Sequence, residues 1–117
     1  MEQPASERPT ALFAVGDEMA IGAWAELTSQ GIRVPDDFSI VGFDDHDLSA
    51  TFGLTTVTQS VDKLGERAAH VLLDYIANPA NHPDPEEWPV ELVVRDSTAP
   101  PAIEPGRSGV GSVLRGS

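Results

Sequence analysis

The sequence predicts an α/β fold in which parallel strands alternate with helices. Residues 39–45, SIVGFDD, begin with an almost wholly apolar run, which is typical of a strand covered on both faces. Residues 10–15, TALFAV, form a second run of this kind, and a helical stretch starting at Asp17 separates the two. A strand, a helix and a strand in this order predict one βαβ unit with a right-handed crossover.

Two acids, Asp44 and Asp45, follow the central strand. Open α/β sheets bind ligands at the carboxyl ends of their strands, where loops converge on a rigid frame. The right-handed crossover places Asp17 at the same edge. Asp44 is therefore a candidate binding residue. The alternative is that one acid only caps the following turn while the other faces water, and this alternative weighs more for Asp45 than for Asp44.

The first helix is predicted from Asp17 to about Gln30. Asp17 is the N-cap candidate, because its carboxylate can accept a hydrogen bond from the first turn, and Gly31 supplies the left-handed residue after the last turn. Residues 19–25, MAIGAWA, contain no polar side chain, although packing on one sheet requires only one apolar stripe. The apolar residues predicted to face the sheet are Met19, Ala20, Ala23, Trp24 and Leu27.

Ile21 and Ala25 project from another side of the same helix. Two interpretations remain open for them: a partner covers this second face, or the face is an alanine-rich surface that water tolerates.

Short-range patterns predict the remaining elements. They are a turn at 34–37, a loop at 46–53, a short β-branched strand at 54–58, a helix at 61–77 capped by Ser60, a proline-rich acidic surface loop at 78–89 and a strand at 89–95.

Composition excludes several classes of function. The 117 residues, 40% of them hydrophobic, suit one small domain or a piece of a larger one. Nineteen acids against seven lysines and arginines give a formal charge of −12, which argues against a phosphate-gripping surface. The absence of cysteine excludes disulfides, thiolate metal sites and cysteine nucleophiles.

No enzyme, cofactor or metal site is predicted. Residues 44–47, DDHD, are adjacent in sequence, and adjacent residues rarely converge on one ion. No acid nearby has an apolar setting that would raise its pKa, and no phosphate-cradling loop or serine elbow occurs. The first nine residues lack a secretory signal and no apolar run could span a membrane, so a cytoplasmic location without membrane contact is expected.

Several stretches together resemble one family. They are GDEMAIGAWAELTSQGIRVPDDFSIVGFDD, LTTVTQ with VDKLGERAAHVLLDYI, and ELVVRDSTAPP. In order and spacing they resemble the carboxyl-terminal part of the sensor domain of LacI/GalR-type transcriptional regulators, over about residues 9–101. The resemblance implies a periplasmic-binding-protein-like type I fold, here incomplete. It assigns residues 10–101 to a partial effector-binding domain, while composition predicts a linker or ragged start at 1–9 and a disordered tail at 102–117.

The resemblance also implies an effector site. Asp44 matches the family aspartate that bonds an effector, usually a sugar hydroxyl, and Gln59 matches a polar residue of the pocket or hinge. Gly16 and Asp17 stand where the family usually has Asn-Asp, so Gly16 removes one expected contact.

The family further implies a homodimer that binds operator DNA through an amino-terminal helix-turn-helix, which these residues lack. Ile21, Ala25 and the loop near Leu48 are expected to form part of the dimer face. The alternatives are a transport-type sugar-binding protein of the same fold and a fragment without function of its own. Because the first lobe is largely missing, we expect the 61–77 helix to expose its apolar row.

Overall fold

The computed structural model describes residues 7–102 and confirms the α/β fold with parallel strands. Its elements are β1 (Ala11–Phe13), α1 (Asp17–Ser29), β2 (Ser39–Val41), α2 (Asp47–Phe52), β3 (Thr56–Thr58), α3 (Val61–Ala77) and β4 (Glu91–Val93). Residues 1–6 and most of the predicted tail, 103–117, lie outside the described part of the chain.

β2 occupies the centre of the parallel strands, as predicted. On one side it pairs with β1, in a register that sets Leu12 opposite Ile40. On its other side Val41 forms a parallel bridge with Thr55, and the Gly42 N–H donates to the Thr55 carbonyl at 2.9 Å. The carboxyl ends of the parallel strands therefore meet at one edge, where residues 43–47 begin.

β3 and β4 form an antiparallel ribbon that leads to α3 and returns from it, with Val57 opposite Leu92. After the ribbon the chain comes back to the parallel strands at Ser97, which is fully buried. The Ser97 hydroxyl donates to the Ile40 carbonyl at 2.6 Å and accepts the Thr55 N–H at 2.8 Å. This serine joins β2 to the segment that starts β3.

The core between α1 and the strands is small. Its buried apolar residues are Ala14, Ala20, Phe38, Ile40 and Leu54, and the partly buried residues packed on them are Ile21, Trp24, Leu27, Ile32 and Val34. The predicted facing is wrong for two residues: Met19, expected to face the sheet, is 61% exposed, and Ile21, expected on another side, packs on the core.

β1 was expected to be buried, and this is wrong for the described residues. All three of its residues are exposed, Phe13 by 57%. An apolar run shows what a complete sheet would cover, but within residues 7–102 this strand pairs with β2 alone.

Two predicted caps differ in detail. The N-cap of α1 is Gly16, and Asp17 is the first helical residue, with its carboxylate turned to other donors. Ser60 precedes α3 as predicted, but it adopts a φ of 51° and its hydroxyl makes no capping hydrogen bond. Gly31 has the expected left-handed φ of 78°.

The predicted loop at 46–53 contains the short helix α2. The His46 imidazole Nδ1 accepts the Leu48 N–H at 3.2 Å, which caps the helix, and Gly53 ends it with a left-handed φ of 73°. Six residues are too few to display helical periodicity, so the two capping residues were the available signal.

α3 spans the predicted residues, and the segment after it forms no helix or strand until β4. None of its residues is buried, and Leu72 is 56% exposed and Ile76 63%, which agrees with the expectation that this helix exposes its apolar row. The Arg67 guanidinium pairs with the Glu86 carboxylate, which fastens the proline-rich segment to the helix. In the described part of the chain no helix is long and apolar enough to cross a membrane.

Candidate functional site

The four residues predicted for the effector site lie at the carboxyl edge of the parallel strands. The Asp17 N–H donates to the Phe43 carbonyl at 3.1 Å, which brings the start of α1 against the end of β2. The Gln59 side-chain amide donates to Asp44 Oδ1 at 2.8 Å. Asp44 is exposed and Gln59 is half-buried, so this carboxylate and amide can present further hydrogen-bonding capacity to a ligand.

The backbone at this edge has an unusual conformation. Asp44 has a φ of 120° and Asp45 a φ of 55°, values that L-residues rarely adopt and that each cost about 1–3 kcal/mol. The Asp44 N–H donates to the Val57 carbonyl at 2.7 Å, and the Asp45 N–H approaches Thr56 Oγ1 at 3.4 Å. Bonds to β3 therefore hold these two residues in place.

Asp17 is 2% exposed, and neighbouring donors occupy its carboxylate. Oδ2 accepts the His46 N–H at 2.6 Å and the Ser49 hydroxyl at 2.5 Å, while Oδ1 accepts the Thr56 hydroxyl at 2.5 Å. Burial raises the pKa of this carboxyl, but the bonds from Ser49, Thr56 and the His46 backbone together hold the pKa below its usual value. Asp17 is thus an ionised, internally bonded group.

Gly42 makes room for this carboxylate. A Cβ at residue 42 would lie 2.2 Å from Asp17 Oδ1 and 3.0 Å from a methyl carbon of Leu54. The position therefore requires glycine because of close approach, and its φ plays no part in the requirement.

Replacing Gly42 by alanine should destabilise the domain by about 1–3 kcal/mol or more, because the Asp17 carboxylate cannot move without breaking its three bonds. Gly22→Ala is the matched control: a Cβ there meets nothing within 4 Å, so a small stabilisation is expected in the helix. Urea unfolding of the full-length variants measures both, and equal stabilities would contradict the close-packing argument.

Asp45 neither caps the turn through its carboxylate nor points into water. It is half-buried and accepts from Arg95 at 2.9 Å, and the same guanidinium donates to the Leu54 carbonyl at 3.0 Å. Sequence reasoning missed Arg95, whose only signal was its place in the motif ELVVRDST.

Trp88 was also missed. Its indole N–H donates to the backbone carbonyl of Gln59, which fixes the turn that carries the predicted site amide. Gly16 lies beside this edge with an extended backbone, and a Cβ there would meet only Met19, at 3.9 Å. The position therefore has room for a Cβ, and the glycine there presents no side-chain group to the edge.

The predicted dimer residues lie on a second surface. Ile21, Trp24, Ala25 and Thr28 of α1, with Phe52 of α2, line a cavity of about 380 Å³ that we call the α1–α2 groove. Leu48 is 45% exposed on α2 but does not line this groove; Phe52, one turn later, does.

Charge limits what the carboxyl edge can bind. Glu18, Asp44 and Asp47 are exposed acids there, and Arg95 is already paired with Asp45. In residues 7–102 no group of three or more metal-ligating side chains has the arrangement of a metal site. An anionic ligand would meet repulsion, whereas a neutral ligand with hydroxyl donors would match Asp44 Oδ2, which accepts no hydrogen bond from residues 7–102.

Parallel strands that alternate with helices, with a carboxylate and an amide in contact beyond the carboxyl ends of the strands, define an α/β domain of the kind whose ligands bind at this edge. The chain belongs to the periplasmic binding protein-like domain family, whose model matches residues 1–98.

Relatives within this family are transcriptional regulators by name. The "HTH-type transcriptional repressor PurR" of Mannheimia succiniciproducens is 45% identical over 78% of this chain and 28% of its own length. A LacI family regulator from Enterococcus faecalis, solved with bound ribose, is 39% identical with a TM-score of 0.72, over 77% of this chain and 34% of that one. The lac repressor dimer bound to operator and an anti-inducer is 37% identical with a TM-score of 0.69, over 77% and 32%.

These likenesses confirm the resemblance to part of the sensor domain of LacI-type regulators. The chain spans 28% of the length of the curated relatives it matches. The relatives carry names of repressors and regulators, not of enzymes.

Proposed function

We propose that residues 10–101 form part of the effector-sensing domain of a cytoplasmic, non-enzymatic transcriptional regulator. A neutral polyhydroxylated ligand, such as a sugar, binds at the edge that carries Asp44 and Gln59. The ligand changes the affinity of a homodimer for operator DNA, which a helix-turn-helix outside these residues contacts.

The observation that carries this proposal is the hydrogen bond between Gln59 and the exposed Asp44 carboxylate at the ends of the strands. A carboxylate beside an amide supplies both acceptors and donors, which suits neighbouring hydroxyl groups. The acidic edge disfavours phosphorylated or carboxylated ligands. A ribose-bound relative and an operator-bound dimeric relative support the ligand class and the DNA partner.

Binding tests with the full-length protein separate this function from its alternatives. D-Ribose and ribose 5-phosphate form a matched pair that differs by the phosphate, and cellobiose extends the size range. We expect at least one neutral sugar to raise the melting temperature and to alter binding to DNA selected from a random-sequence pool. Binding of phosphorylated sugars alone would contradict the proposal. A helix-turn-helix encoded in frame upstream supports a regulator, whereas a secretory signal there supports a transport protein.

A further inference from the structure

The backbone of residues 44–46 is held by hydrogen bonds from three successive backbone N–H groups. The Asp44 N–H donates to the Val57 carbonyl, the Asp45 N–H approaches the Thr56 hydroxyl oxygen, and the His46 N–H donates to the Asp17 carboxylate. The acceptors belong to β3 and to the start of α1. This short segment is therefore fastened to two elements at once.

Asp17 accepts one of these three hydrogen bonds directly and supports a second one through Thr56. It accepts the His46 N–H directly, at 2.6 Å. It also accepts the hydrogen of the Thr56 hydroxyl at 2.5 Å, which turns a lone pair of that oxygen toward the Asp45 N–H. Its remaining bond, from Ser49, ties the first turn of α2 to Asp17.

The segment needs such support because its conformation is unfavourable. Asp44 and Asp45 both have positive φ values and are not glycines. Strained residues of this kind persist only where surrounding bonds over-determine them. The conformation matters for the site, since the direction of the chain at Asp44 decides whether its carboxylate reaches the Gln59 amide.

We propose that Asp17 is a positioning residue: its buried carboxylate maintains the left-handed conformation of Asp44 and Asp45 and so aims the Asp44 carboxylate at Gln59 and the ligand. It does not touch the ligand itself, because it is 2% exposed and three donors occupy its oxygens. The inference deepens the proposed function and depends on it for the ligand, but its structural part stands independently of which ligand binds.

Hydrogen exchange in the full-length protein, followed by mass spectrometry over peptides that contain residues 44–46, tests the structural part. Asp17→Asn should raise exchange in these peptides by about tenfold or more beyond the change elsewhere, because it removes charge-assisted bonds. Thr56→Val, which keeps the shape of the side chain, should raise it less. Ser97→Ala is the control, since Ser97 is also fully buried with two hydrogen bonds but does not contact the segment.

An Asp17→Asn effect no larger in these peptides than that of Ser97→Ala would overturn the inference. If Asp17→Asn fails to fold, the Thr56→Val result decides, and no local increase there counts against the inference. Titration with D-ribose adds the functional readout: we expect about tenfold weaker binding in Asp17→Asn and unchanged binding in Ser97→Ala. Equal affinities in both would also overturn it. If the wild-type protein binds no neutral sugar, the proposed function fails while the exchange result still judges the positioning role.

Discussion

Replacing Asp44 by alanine in the full-length protein should weaken effector binding by about 1.5–3 kcal/mol, or roughly 10- to 150-fold. The Asp44 carboxylate is exposed. Within the described residues it accepts one hydrogen bond, from the Gln59 side-chain amide. Loss of this group removes charge-assisted bonds to the ligand and leaves the Gln59 amide without its partner. Calorimetric titration with the neutral sugar that binds the wild-type protein measures the change.

Two further variants make this measurement specific. Asp44→Asn keeps the shape but removes the charge, so its loss of affinity should be smaller than that of alanine. Asp47→Ala removes an exposed acid three residues away, at the start of α2, and should leave the affinity unchanged. Unchanged affinity in Asp44→Ala would remove this residue from the site, whatever the controls show.

Features that depend on sequence neighbours could be predicted well. The parallel βαβ unit follows from two apolar runs with a helix between them, and α3 begins and ends where Val61 and Asn78 suggested. These features need only local periodicity, turn residues and the handedness of crossovers.

The inner structure of the site could not be predicted in the same way. The three donors that surround Asp17 come from residues 46, 49 and 56, so nothing in its own neighbourhood shows that it is buried. An aspartate before a helix usually caps it, and the local rule gave that answer. The actual role depends on Gly42, whose missing side chain leaves space for the carboxylate.

The prediction that β1 is buried was wrong for a different physical reason. The apolar pattern of a strand reflects the surroundings that the strand has in the complete fold, and these can include parts of a larger sheet. Phe13 is 57% exposed, and its side chain is not among those that form the core or pack on it within the described residues. The exposed row on α3 could be predicted because the resemblance implies that this helix packs in a lobe most of which lies outside these residues.

Ile21→Glu should convert the full-length protein from dimer to monomer and abolish tight operator binding. The α1–α2 groove is almost wholly apolar, and a carboxylate buried there without a partner costs several kcal/mol. A two-fold interface would contain this charge twice, so we expect the dimer dissociation constant to rise by at least about a thousandfold, from about 4 kcal/mol in total. Sedimentation velocity measures the oligomeric state, and a mobility-shift assay measures DNA binding.

A second substitution separates dimer loss from damage to the fold, because Ile21 also packs on the core. Ala25 lines the same groove but is exposed in the single chain, so Ala25→Glu should disrupt the dimer with little loss of monomer stability. Ser29→Glu adds the same charge on α1 outside the groove and should leave the dimer intact. An intact dimer in both Ile21→Glu and Ala25→Glu would show that this groove is not the subunit interface, because a two-fold contact across it could not hold the two unpaired carboxylates that each variant introduces.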